Sequence, residues 1–140
     1  MIYLDANIFI YAAINNNKEG KICRDILSKV AFKKTIANTS LLTWDELFYA
    51  IRREKGRDKA IEEGKAFLKF PNLVFIKTDS GVIDKAQELI ENYNIKPRDA
   101  IHAATTIINN IYEIISDDPD FDKIKEIKRT KLEEVNRANE

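Results

Sequence analysis

Four short apolar runs, each three or four residues long, alternate along this chain with longer stretches of helical periodicity, and that alternation limits the available folds more than any other feature. The runs are Ile2-Tyr3-Leu4, Thr35-Ile36-Ala37-Asn38, Leu73-Val74-Phe75-Ile76 and Tyr112-Glu113-Ile114-Ile115. Runs this short, bounded by turn residues, read as strands buried within a sheet. Residues 7–14 are apolar almost throughout; they are expected to form a helix with Asn7 near its cap, the other option being a longer strand. Apolar residues recur at helical spacing over 19–33, 40–54, 58–70 and 80–92, and Pro97 suits the first turn of a further helix. Strands alternating with helices predict an α/β fold: a parallel sheet flanked by helices. The expected unit is one domain over 1–140, with only a weak strand or helix signal from about residue 125 onward.

Composition narrows the setting. Hydrophobic residues make up 44% and charged residues 33%, the balance of a globular rather than a disordered chain. No apolar run is long enough to span a bilayer, and Asp5 and Asn7 interrupt the N-terminal one, so neither a membrane segment nor a signal peptide is expected. The lone Cys23 excludes an internal disulfide and fits a reducing, cytoplasmic setting. Lys plus Arg and Asp plus Glu both number 23, which argues against coating nucleic acid by bulk charge but leaves room for a local basic patch or a bound cation.

In open α/β sheets, ligands bind beyond the carboxyl ends of the strands. Asp5 closes the first run, and the acidic turn Ser116-Asp117-Asp118-Pro119-Asp120 closes the fourth. Asp99 stands in the first turn after Pro97, and Glu46 lies in an apolar-rich helix. If Asp5, Glu46, Asp99 and Asp118 converge, they form a pocket of hard oxygen donors suited to Mg²⁺ or Mn²⁺. Each also has a structural reading. Asp99 can stabilise a helix N-terminus, Glu46 can complete a capping box with Thr43, and Asp118 and Asp120 can serve the turn. A carboxylate closing a buried strand, like Asp5, has few such uses.

The order of four motifs resembles the PIN domains: Tyr3-Leu4-Asp5-Ala6-Asn7-Ile8, the helix with Glu46, Arg98-Asp99-Ala100-Ile101-His102-Ala103-Ala104, and Ser116-Asp117-Asp118-Pro119-Asp120-Phe121. The likeness spans residues 1 to about 122 and is greatest to VapC-type ribonuclease toxins of toxin–antitoxin pairs. It implies a Rossmann-like sheet, a Mg²⁺- or Mn²⁺-dependent ribonuclease, and Asp5, Glu46, Asp99 and Asp118 as the acidic quartet. It further implies metal contact by Asp120, with Asn7 and Ser116 supporting Asp5 and the last turn. Within that turn the motif points to Asp118, although Asp117 is also acidic; in the helix, register alone chooses Glu46 over Asp45. A cognate antitoxin and a homodimer are implied as partners, beside an RNA substrate.

Three other features stay open to two readings. His102, three residues after Asp99, can be a metal ligand but reads better as a packed, hydrogen-bonded core residue. Arg52, Arg53, Lys55, Arg57 and Lys59 are either a solvated face or RNA phosphate contacts. Trp44 and Tyr49 are expected in the core or a dimer contact. The competing functions are a PIN-like module that binds RNA or protein without cutting, a DNA flap nuclease, and an aspartyl-phosphate phosphatase. The last wants a second Asp where this chain has Asn7.

Overall fold

In a computed structural model that describes residues 1–138, with side chains as far as Val135, five strands form one parallel sheet. Residues 139–140 of the expected domain lie outside the described residues. The strands are β1 (Ile2–Leu4), β2 (Ala37–Ser40), β3 (Leu73–Ile76), β4 (Glu113–Ile115) and β5 (Lys128–Thr130), in the spatial order β3-β2-β1-β4-β5. Helices α1 (Ala6–Ile14), α2 (Lys18–Ala31), α3 (Leu42–Lys55), α4 (Arg57–Leu68), α5 (Ser80–Asn92), α6 (Pro97–Ile108) and α7 (Leu132–Ala138) cross between and beyond them. No described helix is long and apolar enough to cross a membrane.

The first strand lies in the middle, and the winding reverses between β1 and β4. Reversal opens a crevice at the carboxyl ends of those two strands. Side chains alternate across each strand, so Leu4 and Ile115 join one core with Ile8, Phe9, Leu47 and Phe67, while Tyr3 and Ile114 join a second core with Val82, Leu89 and Phe121. Covering both faces explains why the strands read as unbroken apolar runs rather than alternating ones. Phe67 meets Phe9 and Phe75 edge-on, with ring centroids 5.0 and 5.1 Å apart, each contact contributing about 0.5–1.5 kcal/mol beyond its buried area.

Two glycines are required by position. A Cβ on Gly20 would stand 2.0 Å from the Asn15 carbonyl oxygen, where α2 crosses the end of α1. Gly56 has φ +93°, a left-handed conformation that turns α3 directly into α4.

Several expectations need correction. The helix expected over 7–14 starts one residue earlier, at Ala6, with Asn7 near the cap and Asp5 as the cap itself: Asp5 Oδ1 accepts the Ala6 N–H at 2.8 Å. The second strand runs over 37–40 rather than 35–38, because the polar Thr39 and Ser40 are buried within it and find partners there. Thr39 Oγ1 donates to the Leu4 carbonyl at 2.8 Å, and Ser40 Oγ shares a hydrogen bond with Thr78 at 3.0 Å. The C-terminal region is not a choice between strand and helix but both in turn, β5 and then α7. Trp44 and Tyr49 are 39% and 60% exposed, which removes the core option of their expected setting and leaves the dimer contact.

Candidate active site

The switch point sets Asp5 at the base of the crevice, just past β1 and only 5% exposed. Its Oδ2 accepts the Ser116 hydroxyl at 2.6 Å and the Asn7 amide at 3.2 Å. Asn7 Nδ2 also lies 3.3 Å from Ser116 Oγ, which in turn accepts the Asp118 N–H at 3.0 Å. Asn7 and Ser116 therefore join the end of β1 to the acidic turn after β4. Burial pushes the Asp5 pKa up; His102 and the Ser116 hydrogen bond pull against this, Glu46 adds to it, and the net shift is upward.

Glu46 and His102 form the wall beside Asp5. Glu46, one turn into α3, is held by an interhelical contact: its Oε1 lies 2.5 Å from His102 Nε2. The capping-box reading fails, because the α3 cap position is Leu41, without a side-chain cap, and the Thr43 hydroxyl pairs with Thr39 at 2.8 Å. Asp45 turns outward to an ion pair with Arg98 at 3.2 Å. His102 is fully buried, its Nδ1 2.6 Å from the Tyr3 hydroxyl and its Nε2 3.7 Å from Asp5 Oδ1. Burial alone would lower its pKa, but the bond to Glu46 and the Asp5 charge outweigh burial and raise it. The packed, hydrogen-bonded reading describes its setting, with one addition: its partners are site carboxylates.

Across the crevice, Asp99 occupies the third position of α6, the helix opened by Pro97. Its Oδ2 is buried and has no hydrogen-bond partner, the one such side-chain atom found among the described residues. Burial is the main force raising its pKa to about 7, followed by the charges of Asp118 and Asp5, with Asp120 adding to them and His102 opposing. Asp118 Oδ1 accepts the Asp120 N–H at 2.9 Å as the cap of the 3₁₀ turn Pro119–Lys123, so its turn role is real and coexists with its place in the crevice. Asp120 also meets Lys123 at 3.2 Å. Asp117 points elsewhere, accepting the Tyr11 hydroxyl at 3.0 Å. The two neighbouring aspartates thus have different surroundings, and Asp118, to which the motif pointed, is the one that lines the crevice.

One donor atom from each of Asp99, Asp118 and Asp120 lies within 4.8 Å of the others, and the same holds for Asp5, Glu46 and His102. An unpartnered buried carboxylate oxygen among like charges is costly unless a counter-charge arrives. Oxygen donors in this number fit a hard divalent cation, Mg²⁺ or Mn²⁺, on the side of Asp99, Asp118 and Asp120.

The basic cluster at the junction of α3 and α4 does not line this pocket. Lys55 is nine residues beyond Glu46, roughly 13 Å along the helix axis. It lines a separate hollow with Ala13, Ile14, Asn16 and Lys59. Arg53 pairs with Glu54 at 3.4 Å and lies over the Tyr49 ring, and Lys59 pairs with Glu63 at 3.1 Å. The cations that do line the cleft with Glu46, Asp99 and Asp118 are Lys96 and Arg98, an open space of about 490 Å³. Sequence reading passed over both, although they flank Pro97 beside a motif aspartate. It also missed Arg129, for which no local signal exists. From β5 its guanidinium grips Asp122 at 2.9 and 3.0 Å and donates to the Ser116 carbonyl at 3.0 Å, clamping the acidic turn.

A family model described as PIN domain matches residues 2–127. No curated protein sequence matches the chain. Among solved structures, VapBC2 from Rickettsia felis, bound to a DNA fragment from its promoter, is 23% identical with a TM-score of 0.73 over 94% of this chain and 98% of that one. VapC20 of Mycobacterium tuberculosis, described as a sarcin–ricin loop cleaving toxin, is 13% identical with a TM-score of 0.73 over 87% and 93%. FitAcB from Neisseria gonorrhoeae is 15% identical with a TM-score of 0.72 over 94% and 98%. At these identities the likeness speaks for the fold.

Proposed function

The chain belongs to the PIN domain family, and from that premise we propose that it is a Mg²⁺- or Mn²⁺-dependent endoribonuclease, the toxin of a toxin–antitoxin pair. The observation that carries this reading is the unpartnered, buried Asp99 Oδ2 facing a crevice lined by carboxylates from four separate segments. A soluble fold gains nothing from such an arrangement unless a cation and an anionic substrate meet there.

Asp99, Asp118 and Asp120 would hold the ion, with Asp5 beside them. A bound divalent cation supplies the positive charge that lets a phosphodiester approach these carboxylates and polarises it for in-line displacement. Glu46 Oε1 is engaged by His102, which leaves Oε2 to take a proton from attacking water. The water oxygen bonds to phosphorus as the bond to the 3′ oxygen breaks and that oxygen takes up a proton from solvent, leaving a 5′-phosphate and a 3′-hydroxyl. Asn7 and Ser116 hold Asp5 in place. Lys96 and Arg98 at the cleft mouth are the nearest candidates for neighbouring RNA phosphates, ahead of Arg52, Arg53 and Lys55.

A cytoplasmic ribonuclease needs restraint, and the VapBC and FitAcB relatives suggest an antitoxin as its source. An inhibitory Arg or Lys would pair with the pocket carboxylates, and apolar side chains would dock on the exposed Leu41 and Trp44 at the start of α3. A homodimer is part of the same reading.

The test is cleavage of single-stranded RNA by purified protein with Mg²⁺ or Mn²⁺, beside EDTA and a panel of single-stranded and flap DNA. Cleavage that EDTA abolishes is expected. Cleavage persisting in EDTA overturns the metal dependence, and cleavage of DNA alone overturns the substrate. Co-expression with the neighbouring open reading frame should restore growth and yield a purified pair.

A further inference from the structure

Between the two helices that carry Glu46 and Asp99, a buried line of hydrogen bonds runs from the sheet into the site. The Ser40 N–H donates to the Tyr3 hydroxyl oxygen at 3.0 Å. That hydroxyl lies 2.6 Å from His102 Nδ1, and His102 Nε2 lies 2.5 Å from Glu46 Oε1. Tyr3 and His102 are both fully buried.

Directions follow from chemistry. The Tyr3 oxygen accepts from Ser40, so its own proton is available to Nδ1. On the other edge of the ring, Nε2 faces two carboxylates, Glu46 at 2.5 Å and Asp5 at 3.7 Å. An ionised carboxylate only accepts. The carboxylate edge therefore calls for the hydrogen on Nε2, the Tyr3 proton can meet the bare Nδ1 that this leaves, and an Nε2 that carries hydrogen has no lone pair to bind a cation. Asp5, Glu46 and His102 have the spacing of a ligand set, but one of the three is already committed as a donor.

We propose that His102 is a positioning residue, not a metal ligand: the Tyr3 hydroxyl holds its ring in the Nε2–H form, and that N–H holds Glu46 against Asp5 at the floor of the crevice. The consequence for Glu46 rests on the nuclease reading above; the ring's protonation pattern does not. By this arrangement the Glu46 carboxylate is aimed before any substrate or cation arrives.

His102 is the only histidine in the chain, so ¹⁵N-edited NMR of untagged, histidine-labelled protein reports this ring alone. The expected spectrum, without metal and again with saturating Mg²⁺, shows a proton on Nε2. It also shows coupling or shift evidence of a hydrogen bond to Nδ1 that Tyr3→Phe removes. A ring bare on Nε2, or one with a proton on both nitrogens, in either state overturns the proposal. In turnover of RNA, His102→Leu should lower kcat by about 10- to 100-fold with little change in KM, the range seen when a group orienting an active-site ligand is lost. His102→Gln keeps a donor for Glu46 and should recover at least part of that loss. Equal loss in Gln and Leu, with both folded by circular dichroism, also overturns it. Should no RNA cleavage be found at all, the nuclease reading fails while the NMR result still decides the ring's role.

Discussion

The two halves of the crevice solve the same electrostatic problem differently. On one side, Asp5 is buried and Glu46 partly so, and their carboxylates are met by the Ala6 N–H, the Ser116 hydroxyl, the Asn7 amide and the His102 ring. On the other, Asp99, Asp118 and Asp120 face one another, and Asp99 keeps a buried oxygen without a partner. The first half is assembled by the protein alone. The second is left incomplete, and an incomplete acidic group is where a cation gains most by binding. Burial alone does not distinguish them, since the deeper carboxylates are the better satisfied.

Removing charge from either half tests this contrast most severely. Asp5→Asn and Asp99→Asn should each lower RNA turnover by about 10²- to 10³-fold, a few kcal/mol at the transition state. The two should part in melting without metal: Asp99→Asn gains stability by relieving repulsion, whereas Asp5→Asn gains less because it disturbs the Ser116 and Asn7 bonds. Equal stabilisation by both would erase the difference between the halves. Asp117→Asn should cost far less turnover than Asp118→Asn, since Tyr11 holds Asp117 out of the crevice.

A smaller effect concerns pH. The folded Asp99 carboxyl, with its pKa at about 7, keeps a proton that the unfolded chain releases near its ordinary 3.8. The native state therefore binds more protons across that window, and stability falls as pH rises from about 4 to about 7. His102, also raised, acts in the same direction at its upper end. The metal-free protein should lose on the order of 1–2 kcal/mol between pH 5 and pH 8 after solvent screening of the half-exposed Asp99 is allowed for. Asp99→Asn should flatten that slope, and saturating Mg²⁺ should restore stability at pH 8. Chemical denaturation at the two pH values measures it, and a slope unchanged in Asp99→Asn would assign it elsewhere.

Arg129→Met should loosen the acidic turn and weaken Mg²⁺ binding, followed calorimetrically, by about tenfold, with Asp5 and Glu46 undisturbed. The smallest effect is expected at the far basic cluster. Lys96→Ala and Arg98→Ala should each weaken RNA binding and flatten its salt dependence, while Arg52→Ala and Lys55→Ala should do so much less. The reverse order would move the RNA path along α3.

Much of this arrangement was legible in the sequence, and the parts that were not share a cause. Apolar runs announced β1 and β4, which lie inside the sheet, and also β3, an edge strand whose Val74 is 48% exposed. The end of β2 was displaced because Thr39 and Ser40 satisfy their hydroxyls through contacts with Leu4 and Thr78 that no local pattern encodes. The four carboxylates could be named from motif order, but their unequal satisfaction could not, since it depends on Tyr3, Ser116 and His102 arriving from distant segments. β5 was nearly invisible: Lys128-Arg129-Thr130 is a polar edge strand whose central residue works through its guanidinium rather than through apolar burial.

The placement of β1 in the middle of the sheet has a consequence for the birth of the molecule. Synthesis runs from the N-terminus, so Asp5 is made 111 residues before Ser116, its hydrogen-bond partner. Strand β1 must wait for β4 on one side, and the turn that carries Asp118 is clamped only once Arg129 has been added. Until then the nascent chain carries fragments of the crevice and no complete one. The crevice is thus whole only when β4 and β5 have joined the sheet and Arg129 holds the acidic turn.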